Sequence, residues 1–212
     1  QLLLAAAYLG SGDLRQSEAS LARALALDQR IPAAYSLLAN LKLLNGATEE
    51  AKAALRKAIE LNPAEAANYL VLEAQYEREG NWTEARKILE QARSAVPGSP
   101  IVANQLAYLL LEHGGDVNHA LDLAEEASGK MPNSPNVTDT LGWAYLKAGR
   151  TYAAIRKLEQ CTASATCRYH LSMAYLAAGD RASAKAQLQL ALKAPEFTYA
   201  SQAREELRKL SD

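Results

Sequence analysis

The chain has 212 residues, 49% of them hydrophobic and 22% charged, with 23 basic against 24 acidic side chains and a formal net charge of −1. That balance excludes the Lys/Arg excess with interleaved aromatics expected of a nucleic-acid surface, so no nucleic-acid partner is expected. The longest apolar run, Leu2 to Leu9, is too short to span a bilayer and follows no positively charged leader.

Taken in chain order, the elements repeat. Gly12, Gly46, Gly80, Gly115, Gly149 and Gly179 stand 34, 34, 35, 34 and 30 residues apart, and a leucine precedes each by eight or nine positions: Leu4, Leu38, Leu72, Leu106, Leu141 and Leu171. A small residue follows each glycine by five positions, at Ser17, Ala51, Ala85, Ala120, Ala154 and Ala184. A second small column lies seven further on, at Ala24, Ala58, Ala92, Ala127, Cys161 and Ala191. Four columns in one register identify a tandem repeat.

Apolar residues recur three and four apart on both sides of each glycine, which predicts two amphipathic helices joined by a glycine turn. Neither helix buries its face alone, so the units must stack around a continuous core. The small columns let helix backbones approach, and Leu55, Leu89, Leu158 and Leu188 fill the space between turns. Leu61-Asn62-Pro63 and Val96-Pro97 end second helices. The predicted pairs occupy 1–31, 32–64, 65–98, 99–133, 134–163 and 164–195, and an amphipathic segment at 196–212 is expected to be a capping helix. Gln1 falls about three residues into the expected first helix, so further repeats or a signal segment are expected upstream.

The period and the pattern in Leu141-Gly142-Trp143-Ala144-Tyr145, with close seconds in Leu171-Ser172-Met173-Ala174-Tyr175 and Leu4-Ala5-Ala6-Ala7-Tyr8, resemble the tetratricopeptide repeat. The resemblance covers essentially the whole chain. It implies an all-α, right-handed superhelical α-solenoid of six helix-turn-helix units plus the cap. It is specific for fold and serves many functions.

Departures from the pattern mark what is particular to this chain. The fourth turn, His113-Gly114-Gly115-Asp116, is one residue longer than the others. The fifth repeat is four residues short at its far end, where Cys161 takes an alanine slot and Cys167 lies near the next helix start. Two readings stay open: two small buried thiols, or a bridge that needs Cα atoms about 4.4 to 6.8 Å apart and contributes about 2 kcal/mol. A bridge would favour the periplasm or another oxidising compartment. Lys42 stands in the tyrosine slot of repeat two and Glu73 in the small slot of repeat three, so they either pair or tilt outward separately.

A second stripe on the first helices, at spacing i, i+4, i+7, lies on one helical face. It comprises Ser36, Asn40 and Leu43; Leu70, Ala74 and Glu77; Asn104, Tyr108 and Leu111; Asp139, Trp143 and Leu146; Tyr169, Met173 and Leu176. The resemblance implies that these positions line a concave groove suited to an extended peptide or partner helix. Ser36, Asn40, Leu70, Glu77, Asn104, Tyr108, Asp139, Trp143, Tyr169 and Met173 are the candidate contacts, with Trp143 the expected hot spot, while the leucines more readily pack helix on helix. Asn40 and Asn104 have no basic companions at the corresponding positions, which argues against a two-carboxylate clamp on a partner's C-terminus.

No catalytic group, metal site or cofactor is predicted. His113, His119 and His170 are scattered, no phosphate loop or nucleophile elbow is readable, and the cysteines lack Cys-x-x-Cys spacing. The expected function is a non-catalytic scaffold for a protein or peptide partner. Asp139-Thr140-Leu141-Gly142-Trp143-Ala144-Tyr145 and Tyr169-His170-Leu171 look like bacterial multi-repeat proteins, including those accompanying exosortase-type surface sorting, which implies an envelope, secretion or export assembly. The alternative is the recruiting arm of an enzyme whose catalytic domain lies upstream.

Overall fold

A computed structural model describes residues 1–194 and 196–210. Its described residues form α-helices joined by short turns, with no strand among them. In order these are α1 (Leu2–Gly10), α2 (Leu14–Leu27), α3 (Pro32–Leu44), α4 (Thr48–Leu61), α5 (Ala66–Arg78), α6 (Trp82–Ala95), α7 (Pro100–Glu112), α8 (Val117–Lys130), α9 (Pro135–Lys147), α10 (Thr151–Leu158), α11 (Ala165–Ala177), α12 (Arg181–Ala191) and α13 (Ala200–Lys209). The chain packs as two compact units, Gln1–Val102 and Ala103–Asp212. The expected boundary at Pro195, and the last two residues of the expected cap, lie outside the described residues.

The local chemistry of the turns explains the helix ends. After α3, Gly46 has φ +72°, its N–H reaches Leu43 O at 3.1 Å, and the Ala47 N–H reaches Lys42 O at 2.8 Å. This pair of bonds satisfies two carbonyls left open at the helix end and requires a left-handed residue between them. The following helix is then capped where a side chain allows. Asp13, Asn81 and Asp180 accept the backbone N–H of Gln16, Glu84 and Ser183, and Asp116 accepts those of Asn118 and His119.

One turn differs from expectation. In the fourth repeat it is Gly114, not Gly115, that takes the positive φ, at +73°. The inserted residue therefore follows the left-handed position, and Gly115 is constrained by packing instead: a Cβ there would come within 2.5 Å of the Leu110 side chain.

Within each unit the small columns hold the helix pairs together. Ser17, Ala51 and Ala85 in the first unit, and Ala120, Ala154 and Ala184 in the second, are all 0% exposed. Ser17 is tolerated there because its hydroxyl donates to Ala5 O at 2.8 Å. Leu4 departs from its column: it is exposed, whereas Leu72, Leu106, Leu141 and Leu171 are buried.

The second unit is built around α9, whose residues Val137 to Ala144 are buried on every face, including Thr138, Asp139 and Thr140. Gly142 permits this, since a Cβ at that position would collide with the Leu158 side chain of α10. Beyond Leu158 the helix tightens into a 3₁₀ turn, Glu159–Cys161, and Cys161 is bonded to Cys167 with Cα atoms 6.0 Å apart. The bridge lies against Leu158, Leu171 and Ala174 in the core.

Candidate functional site

In the first unit, the i, i+4 pair Ser36 and Asn40 shares one face of α3. The α5 helix brings Asn68 against it. Ser36 Oγ lies 2.7 Å from Asn68 Oδ1 and 3.3 Å from Pro32 O, and its one hydroxyl proton serves one of the two at a time. Asn68 is 4% exposed, and its Nδ2 is buried with no hydrogen-bond partner. A buried amide left so is unfavourable by roughly 1–3 kcal/mol until an acceptor arrives. Ser36, Leu37, Asn40, Asn62, Glu65 and Asn68 line a cleft of about 380 Å³ beside it. Ser36 and Asn40 thus line the same cleft. Leu70 and Glu77, half-buried on α5, do not line this cleft.

The proposed Lys42–Glu73 pair is not formed. Lys42 Nζ lies 2.8 Å from Glu50 and 3.2 Å from Glu18, and these two carboxylates hold its pKa above the ordinary lysine value. Lys42 therefore reaches the partly exposed side of its own helix pair, while Glu73 is buried at 1% exposure. An unanticipated pair does form beside it. Lys52 is nearly buried, lies 2.8 Å from Glu79 and 2.6 Å from Glu49, and sits over the Tyr76 ring at 4.8 Å.

In the second unit Leu111, Asp139, Trp143 and Tyr169 of the stripe are buried, whereas Asn104, Tyr108, Leu146, Met173 and Leu176 are half-buried. Asp139, Trp143 and Tyr169 are 9%, 7% and 8% exposed, which corrects the expectation of groove-facing side chains at these three positions. The physical reason is a polar and aromatic cluster that links successive first helices. Trp143 on α9 donates its indole N–H to Glu112 at the end of α7 at 2.6 Å. Its ring stacks on the His170 imidazole of α11, centroids 4.2 Å apart. His170 Nδ1 lies 2.9 Å from Asp139 Oδ1, the ring is wholly buried, and its Nε2 has no hydrogen-bond partner.

Tyr199, immediately before α13, closes the cluster. Its ring stacks on Tyr169 at 4.6 Å and meets the edge of His170 at 5.1 Å, and its hydroxyl is 2.7 Å from that of Tyr108. Burial, followed by hydrogen bonds to Glu112 and Tyr108, pushes the Tyr199 phenol well above the ordinary tyrosine value. Met173 packs against the same group, and Asn104 on α7 is half-buried with Oδ1 unpartnered. Sequence reasoning missed Asn68, Glu112, His170 and Tyr199 as members of these sites.

The Asp139 carboxylate and the sulfurs of Cys161 and Cys167 lie within 4.8 Å of one another, but in the bridged form the sulfurs carry no thiolate for a metal. The Asp139–His170 pair is sealed beneath Trp143. No helix among the described residues is long and apolar enough to cross a membrane.

Two family profiles, both described as tetratricopeptide repeat, match residues 2–66 and 42–107. No curated protein is matched. Among solved structures, a chain of the APC/C hetero-tetramer Cut9-Hcn1 superposes with TM-score 0.75 at 20% identity over 100% of this chain, which spans 42% of that chain's length. Pseudomonas aeruginosa pilF gives TM-score 0.73 at 19% identity, covering 99% of this chain and 94% of the other. PilW, described as a type IV pilus biogenesis factor, gives 0.70 at 17% identity over 100% and 96%. YrrB, described as having an unusual peptide-binding site, gives 0.66 at 21% identity over 87% and 97%. At these identities the likeness is one of fold.

Proposed function

The chain belongs to the tetratricopeptide repeat family, and from that premise we propose that it is a non-catalytic scaffold that holds an extended segment of a protein partner. The observation that carries this reading is the Asn68 amide. It is buried beside Ser36, and its Nδ2 has no acceptor among the described residues, at the wall of a cleft that also presents Asn40. An extended peptide supplies the missing acceptor through a backbone carbonyl, and Asn40 can meet the next backbone group along the strand, while Leu37 offers apolar contact. The recognition is then of main chain first, with side-chain preference added by the cleft walls.

The setting is an assembly in a bacterial envelope, secretion or export system. Support comes from the pilus biogenesis description of one structural neighbour and the peptide-binding description of another. A disulfide within the second unit fits an oxidising compartment.

The test is affinity capture with the intact chain and with an Asn40→Ala, Asn68→Ala variant whose melting temperature is first matched to the parent. A partner held by the parent and at least about tenfold weaker on the variant supports the reading. Equal capture by both would remove the cleft from the binding surface.

A further inference from the structure

The cleft beside Asn68 carries one charge, and that charge has no partner within the chain. We propose that the segment held there bears a lysine or arginine beside the carbonyl that meets Asn68, and that Glu65 is the group that selects it. The proposal rests on the reading above that the cleft holds an extended segment of a protein.

Among the described residues that line the cleft Glu65 alone is charged, the rest offering amides, a hydroxyl and aliphatic surface. It stands at the N-cap of α5, yet its carboxylate makes no capping hydrogen bond there. No cation among the described residues pairs with it either. Other carboxylates of the same unit are matched: Glu49 and Glu79 lie 2.6 and 2.8 Å from Lys52, Glu50 lies 2.8 Å from Lys42, and Glu60 lies 2.8 Å from Lys57. Glu65, Ala67, Ala33 and Asn40 are all exposed, so the cleft is reached from solvent without any part of the fold moving.

Glu65 and Asn68 stand three residues apart, which puts them on one side of the start of α5. A residue whose carbonyl meets Asn68 Nδ2 can therefore bring the long, flexible stem of a lysine or arginine within reach of the carboxylate. The free N–H groups at the start of α5 would by themselves favour an anion, but Glu65 already supplies one at that end. An exposed carboxylate is well solvated alone, so its contribution is to selectivity more than to affinity: a cation gains, a neutral side chain is indifferent and an acid is repelled.

The experiment titrates the full chain with three probes, the acetylated pentapeptide amides Ala-Val-Lys-Val-Ala, Ala-Val-Gln-Val-Ala and Ala-Val-Glu-Val-Ala. Binding is read from the Asn68 side-chain amide resonance, identified by its loss in Asn68→Ala. The lysine probe is expected to bind about two- to fivefold more tightly than the glutamine probe, and the glutamate probe more weakly than either, with gaps that narrow at high salt. Glu65→Gln is expected to bring the three affinities together and Glu65→Lys to reverse their order. Glu77→Gln, which removes a half-buried α5 carboxylate outside the cleft, is expected to leave the order unchanged. The glutamine variant decides the matter where Glu65→Lys does not fold. Equal affinities on the parent chain, or a lysine preference that survives Glu65→Gln, would overturn the proposal. Where all three probes shift the Asn68 resonance with equal affinity, the cleft stands as a segment-binding site and only its charge selection falls; where none shifts it, both readings fall.

Discussion

The indole of Trp143 lies nearly parallel to the imidazole of His170, 15° between planes and 4.2 Å between centroids, while its N–H is spent on Glu112. A side chain held on its face and at its polar tip is part of the core. The Trp143→Ala change is therefore expected to lower unfolding stability by about 3–5 kcal/mol, in the range for large aromatic truncations. Chemical denaturation monitored by circular dichroism measures it. A loss below about 1 kcal/mol would return Trp143 to the surface.

The Cys161–Cys167 bridge closes a short loop between α10 and α11. Thiol titration of the denatured, unreduced chain is expected to find no free thiol, and reduction is expected to cost about 2 kcal/mol, the value for a loop of this length. Two titratable thiols before reduction would overturn the first statement. An unchanged melting temperature after it would overturn the second.

Much of the fold was legible because its signals are local. Glycine turns, small columns and apolar spacing each depend on residues within one helix pair, and Ala51, Ala85 and Leu89 are buried as that spacing requires. The sites were less legible because they are made by residues from different helices. Glu112 meets Trp143 and Asp139 meets His170, each across 31 residues, and Ser36 meets Asn68 across 32. That offset, a little under one repeat, was present in the sequence and would have paired Asp139 with His170. Tyr199 had no such marker: it lies outside the repeat, and its contact with Tyr108 spans 91 residues.

Lys42 offers a test of which charges are coupled. A double-mutant cycle of Lys42→Met with Glu50→Gln is expected to show a coupling of a few tenths of a kcal/mol to about 1 kcal/mol, because Glu50 is largely exposed and the pair is screened by water. The cycle of Lys42→Met with Glu73→Ala is expected to be additive. Coupling in the second cycle as large as in the first would contradict the observed partners of Lys42.

Tyr175 makes stability depend on pH in the alkaline range. Burial first, then the hydrogen bond it donates to Glu159 at 2.9 Å and the charge of that carboxylate, push its pKa up to about 12 from 10.0. The folded state therefore keeps a proton that the unfolded state releases. This contribution is whole below pH 10 and is lost as pH rises through the folded value, with a slope of at most about 1.4 kcal/mol per pH unit. Tyr175→Phe removes this titration and should make the stability profile less steep between pH 10 and 12, leaving the decline contributed by Tyr69, Tyr145, Tyr169 and Tyr199, whose phenols burial also pushes up. Denaturation midpoints collected across that window measure the difference between parent and variant. Parallel profiles would mean that Tyr175 ionises as freely in the folded chain as in the unfolded one, and that Glu159 does not hold its proton.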